Sequence, residues 1–172
     1  MFYSYCIKEH WEETMSLEQI KRDGIAFFTE AISKWNRLIE LYKEIRASDI
    51  DEPIDEIREA NEILAWFQDN YVKHEAYSNF RTVTTLPSGK KVSTDPIFDL
   101  VFRGSNIQNI CSGWDPDTFA QDLNRGFAHL RGHLASIKNL TSPPKERDTE
   151  TVPLLRVRKT VSRCNAVMRE IK

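Results

Sequence analysis

The chain has no apolar run of the roughly 18 residues that a membrane-crossing helix requires, so no spanning segment is expected. Its three cysteines, Cys6, Cys111 and Cys164, are odd in number, scattered and without a CxxC pair. That argues against a disulfide framework and predicts reduced, mostly buried thiols. The opening stretch is apolar as far as Ile7 but lacks a basic leading region and is cut short at Lys8, so a signal peptide is not expected and the protein reads as cytoplasmic. There is no internal repeat and no low-complexity tract. No Ser-His-Asp grouping, phosphate-binding glycine loop or carboxylate dyad is discernible, and so no motif names a reaction.

What is present is apolar patterning. In 172 residues, 40% are hydrophobic, with four Trp, nine Phe and five Tyr, which suits one packed domain that needs no disulfide or metal to hold it. The net charge of −2 hides an asymmetry: residues 1–77 carry 9 Lys/Arg against 17 Asp/Glu, a net −8, and residues 78–172 a net +6. The halves should attract, and a basic half can also meet nucleic acid or an acidic partner.

The most strongly patterned segment runs from Ser16 to Arg46. Ile25, Phe28, Ile32, Trp35, Ile39 and Tyr42 recur every three or four positions, a helical stripe widened by Leu38 and Ile45. Ser16 followed by Gln19 reads as a capping box, hydroxyl to backbone N–H and amide reaching back. A second helix starts near Pro53 and runs to about Tyr77, with the stripe Ile57, Ala60, Leu64, Phe67, Tyr71 and His74. The short link makes the two antiparallel neighbours. Residues 3–15 suggest a further short helix.

Residues 80–94 are rich in β-branched residues around Pro87-Ser88-Gly89, which predicts a β-hairpin. It is polar on both faces and must lean on the bundle or on a partner. A third helix follows Pro96, using Ile97, Leu100 and Val101, and fades near Arg103 or resumes as far as Ile110. Asp115-Pro116 starts a fourth, whose stripe is Phe119, Leu123, Phe127, Leu130, Leu134 and Ile137. Proline, charge and no large apolar residue make 141–153 a linker. Residues 154–172 then regain a helical stripe at Val157, Val161, Cys164, Met168 and Ile171, with basic residues around the other faces. The expected architecture is therefore a mainly α, four-helix-type bundle over residues 1–140 with an inserted hairpin, a linker, and a tethered basic amphipathic helix.

Three places carry candidate chemistry. In the fourth helix Asp122, Gly126, His129, His133 and Ser136 fall on a line beside the apolar stripe, and two histidines one turn apart are able to ligate a metal such as zinc. His74, at a similar height if the helices run parallel, makes a third candidate ligand. The competing description has His129 and His133 half-exposed at the surface and His74 hydrogen-bonded in the core. Arg81, Lys90 and Lys91 on the hairpin are candidates for nucleic-acid contact. Arg156, Arg158, Lys159, Arg163 and Met168 on the last helix are candidates for a protein partner or for self-association.

One His late in the second helix with an HxxxH pair in the fourth resembles the DinB/YfiT-like metal-binding bundles; the resemblance covers three residues and implies a divalent metal on His74, His129 and His133. The chain departs from that pattern at Arg131-Gly132, where His133 follows in place of the usual Gln. The HEPN class of helical ribonucleases sets an Arg four to six residues before a His; here Arg125 precedes His129 with three residues between and His133 with seven, so neither spacing matches. The function these features favour is a non-enzymatic binding or adaptor protein, a small subunit or regulator in an intracellular complex. A metal-dependent helical enzyme, or a ribonuclease-type or RNA-binding protein, is the alternative.

Overall fold

The computed structural model describes residues 15–49, 53–104, 106–113 and 115–144. The helix expected over residues 3–15, apart from its last residue, most of the linker (145–153) and the C-terminal helix with its partner-contact residues lie outside them.

The described residues form five helices and one hairpin: α1 (Leu17–Ala47), α2 (Ile54–Glu75), β1 (Thr82–Thr85), β2 (Lys91–Thr94), α3 (Pro96–Phe98), α4 (Ile107–Gly113) and α5 (Pro116–Lys138). The expected third helix is broken into two pieces. From α3 the chain widens into a π-helical turn, Asp99–Arg103, before α4 begins. A π-turn disturbs the regular carbonyl ladder. Here the Gln68 amide donates to the Val101 carbonyl at 3.0 Å. Asn61 likewise holds the start of α4, its Oδ1 accepting from the Ile107 N–H at 2.7 Å.

Helix α1 begins as its sequence requires, the Ser16 hydroxyl accepting from the Gln19 N–H at 3.2 Å. The reciprocal half of the capping box is not made, because the Gln19 amide donates instead to Asp23 at 2.7 Å. The buried face of α1 is also rotated from the expected stripe. Gly24, Phe27, Phe28, Ala31, Trp35, Leu38, Leu41 and Tyr42 are buried, while Ile25, Ile32 and Ile39 sit at its margin. Small residues set that rotation. Space at Gly24 is filled by Ile137 and space at Gly126 by the Trp35 ring, so that α1 and α5 approach closely and a Cβ at Gly126 would overlap the indole. The Trp35 Nε1–H then donates to the Leu123 carbonyl at 2.8 Å.

Trp35, Phe28, Phe67, Tyr71 and Phe119 are the largest fully buried side chains, and they join α1, α2 and α5 into one core. Ile97, Leu100, Val101, Ile107 and Ile110 close it from α3, the π-turn and α4.

The hairpin is antiparallel, with Thr82 opposite Thr94 and Thr85 opposite Lys91. Its turn closes through Gly89 N–H to Leu86 O and Leu86 N–H to Lys90 O, both 2.8 Å, and Gly89 takes φ +79°, the left-handed conformation that only glycine adopts at no steric cost. Thr82, Thr84, Val92 and Thr94 face inward, and Val83 and Leu86 stand exposed outside.

Candidate functional site

The line of polar residues on α5 does not lie beside the core but partly within it. His129 and His133 are 4% and 0% exposed, and Gly126 is buried with them. The description of the pair as half-exposed surface histidines is therefore wrong. The stripe of Phe119, Leu123, Phe127, Leu130, Leu134 and Ile137 follows the large side chains alone, whereas the buried face also takes in Gly126, His129 and His133 and leaves Phe127 and Leu134 at its margin.

Around the pair the hairpin junction assembles a closed polar cluster. His129 Nε2 and His133 Nε2 are 3.0 Å apart. His129 Nδ1 lies 2.8 Å from the Thr82 hydroxyl at the start of β1. Asp95, the residue after β2, faces His129 Nε2 at 3.4 Å and accepts the Tyr71 hydroxyl at 3.1 and 3.2 Å. The Tyr71 hydroxyl is in turn 3.3 Å from His133 Nε2. Asp95 has a second duty as N-cap of α3, accepting from the Phe98 N–H at 3.0 Å. The cluster thus pins both ends of the hairpin to α2 and α5.

Aromatic rings seal it. His133 is stacked on Phe28 from α1, and Phe80 sets its edge contacts on both imidazoles at 5.3 Å. Phe80 gets that close because it lies over Gly132, where a Cβ would overlap its ring. Within this enclosure burial pushes the His133 imidazole down to about 2, helped by His129 and Arg81. Burial lowers His129 as well, against the attraction of Asp95. The Tyr71 hydroxyl is driven well above its ordinary value by burial and by the Asp95 charge. Both imidazoles are neutral at physiological pH. His133 Nδ1 is buried without a hydrogen-bond partner among the described residues.

His74 is not part of this cluster. Its ring stacks on Phe27, centroids 4.0 Å apart, above a small cavity lined by Met15, Ile20, Asp23, Gly24, Lys73 and Tyr77. The α2 residue that touches His133 is Tyr71, one turn before His74. Among the described residues there is no group of three or more His, Cys, Asp or Glu that could hold a metal ion. The member the sequence reading missed is Asp95, whose only signal was its position before Pro96 as a helix cap.

Of the hairpin cations, Arg81 pairs with Glu75 at 2.8 Å and donates to the Phe80 carbonyl at 2.7 Å, while Lys90 and Lys91 are exposed at the tip. Arg125 is at the surface with Asp122 at 3.3 Å. Phe127, on the same helix, carries Arg131 over its ring at 5.7 Å.

A second feature has no counterpart in the sequence reading. An open groove of about 1180 Å³ lies where the end of α1, the first turns of α2 and α4 meet. Ile45, Ile54, Ile57, Ala65, Ile107 and Cys111 line it, with Arg58, Asn61, Glu62 and Gln108 among its polar members. Ile54 is 62% exposed. No protein-family model, curated protein or solved structure matches the chain. Among the described residues no helix is long and apolar enough to cross a membrane.

Proposed function

We propose that the chain is a non-enzymatic helical binding module, an adaptor or small subunit that seats an amphipathic helix in the groove between α2 and α4. The groove carries this reading. At about 1180 Å³ and open to solvent it exceeds the roughly 300–1,000 Å³ of small-molecule pockets, and its mixture of isoleucine, alanine and cysteine with polar residues suits the apolar face of an amphipathic helix. The histidine cluster supports the same reading from the other side. It is closed over by Phe28 and Phe80 and its polar groups are largely spent on the hairpin, which suits a structural pin.

The test uses the full chain and the Ile54→Glu variant, whose altered side chain is already in solvent. A protein retained by the parent and by the exposed control Lys90→Glu, but lost with Ile54→Glu, is the expected result. Identical retention by all three overturns the groove. The contacts of His129 with His133 and with Asp95 are the observation behind a metal-dependent enzyme as the second reading. One metal per chain in untagged protein, lost on Asp95→Asn, would put that reading first.

A further inference from the structure

We propose that the resident ligand of this groove is the chain's own C-terminal segment, residues 154–172, docked as an amphipathic helix in the same molecule. The proposal rests on the reading of the groove as a helix-binding surface and names its occupant. The segment's stripe, Val157, Val161, Cys164, Met168 and Ile171, spans 15 residues, about 21 Å from first to last as a helix. From Ile54 to Ala65 the groove wall on α2 is 12 residues, about 17 Å from first to last, so the two apolar surfaces are similar in length.

Helix α2 as a whole is acidic, with Asp55, Glu56, Glu59, Glu62, Asp69 and Glu75 against Arg58 and Lys73, although of these the groove lining itself holds only Glu62 and Arg58, and Glu59 and Glu75 are paired with Arg37 and Arg81. Arg156, Arg158, Lys159, Arg163 and Arg169 surround the stripe of the segment. A trough of isoleucine and alanine suits the medium-sized valine, cysteine and methionine that would fill it.

The connection is long enough. Lys21 donates to the Leu140 carbonyl at 3.2 Å, which fixes the exit of α5 beside the first turns of α1. The groove lies by Ile45, 24 residues further along α1 and about 36 Å away. The 14 residues from Thr141 to Leu154 span at most about 50 Å, so the segment reaches its own groove with its linker drawn out.

Two native thiols provide the test, Cys111 in the groove and Cys164 in the stripe. In the full chain carrying Cys6→Ser, a short bismaleimide should join Cys111 to Cys164 within a monomeric band, identified by mass spectrometry of the peptides. The product should be lost when Ile54→Glu, or Arg158→Glu with Arg163→Glu, is added. If the half-buried Cys111 reacts poorly, Gln108→Cys with Cys111→Ser moves the thiol to the exposed rim of the same groove. A cross-link found only between two chains overturns docking in the same molecule and gives the groove to a second copy. Thiols that label singly but never join overturn the proposal outright, and leave the groove reading to stand or fall on the Ile54→Glu comparison alone.

Discussion

The imidazole of His133 lies flat on the ring of Phe28, centroids 5.0 Å apart and planes 4° apart, while the preceding residue, Phe27, carries His74 in the same way. Consecutive residues of an α-helix point about 100° apart. Phe27 and Phe28 therefore hold their two histidines on different sides of α1. This one relationship explains why the three histidines do not converge, and why only two of them share the buried cluster.

Acid should destabilise the fold at the histidines before it reaches the carboxylates. An unfolded His titrates near 6.5, whereas His133 in the fold is held down to about 2, so between those values the unfolded chain binds the extra proton. The stability His133 confers by remaining neutral is complete above about 6.5 and is lost progressively as the pH falls. Lowering the pH from 7.5 to 5.5 should cost about 1.4 kcal/mol through His133 alone. His129 and the half-buried His74, both lowered, act in the same direction. Glu59 and Asp115, lowered by Arg37 and by Thr118, contribute only at more acidic pH. Urea titrations at the two pH values measure the difference; equal midpoints would mean that the imidazoles are not enclosed.

Replacing Trp35 by Asp should abolish folding. Truncating a large buried aromatic costs about 3–5 kcal/mol and an unpaired charge in its place adds to that, against a total margin of about 5–15 kcal/mol. Trp35→Phe is the informative companion. It keeps most of the ring volume but leaves the Leu123 carbonyl without its 2.8 Å donor, so a loss of about 1–3 kcal/mol is expected by thermal or urea melting. If Trp35→Asp melts like the parent, α1 does not organise the core.

Much of this fold was legible in the sequence. The start of α1 at Ser16 and of α5 at Asp115, the hairpin around Gly89 and the aromatic core each follow from local rules that the structure obeys. What was not legible depends on neighbours. The true centre of the α1 face is set by Gly24 and Ala31, which have no hydrophobic weight of their own and matter only because α5 comes close. The histidines read as polar residues on the flank of α5 because nothing local says that Phe80 and Thr82, some fifty residues earlier, will close over them. The groove has no sequence signature, being the space left where the end of α1, the first turns of α2 and α4 meet.

Thr82→Val keeps the β-branched shape at the start of the hairpin and removes its hydrogen bond to His129 Nδ1. A net loss of about 0.5–1.5 kcal/mol is expected from the bond, with more where the imidazole nitrogen is left unpaired. Thr85→Val, on the outward face, is the control and should be close to neutral. Amide hydrogen exchange separates the two: residues 82–94 should exchange faster in Thr82→Val and unchanged in Thr85→Val. Equal protection in both variants would show that the hairpin does not depend on this anchor.

Gly132→Ala tests the seal rather than the hydrogen bonds. Gly is worse than Ala inside a helix by about 1 kcal/mol, so on helix propensity alone the substitution should stabilise α5. The added Cβ, however, would occupy the place of the Phe80 ring, and Phe80 is the ring that touches both His129 and His133. Displacing a partly buried Phe and admitting water to two neutral imidazoles outweighs the propensity gain, since overpacking typically costs about 1–3 kcal/mol. The variant should melt lower than the parent, and its histidine resonances should titrate closer to 6.5, because the burial that lowers them is the burial that Phe80 supplies. A variant that melts higher, with unshifted imidazoles, would show that the ring moves aside at no cost and that the cluster owes its enclosure to Phe28 and the hairpin alone.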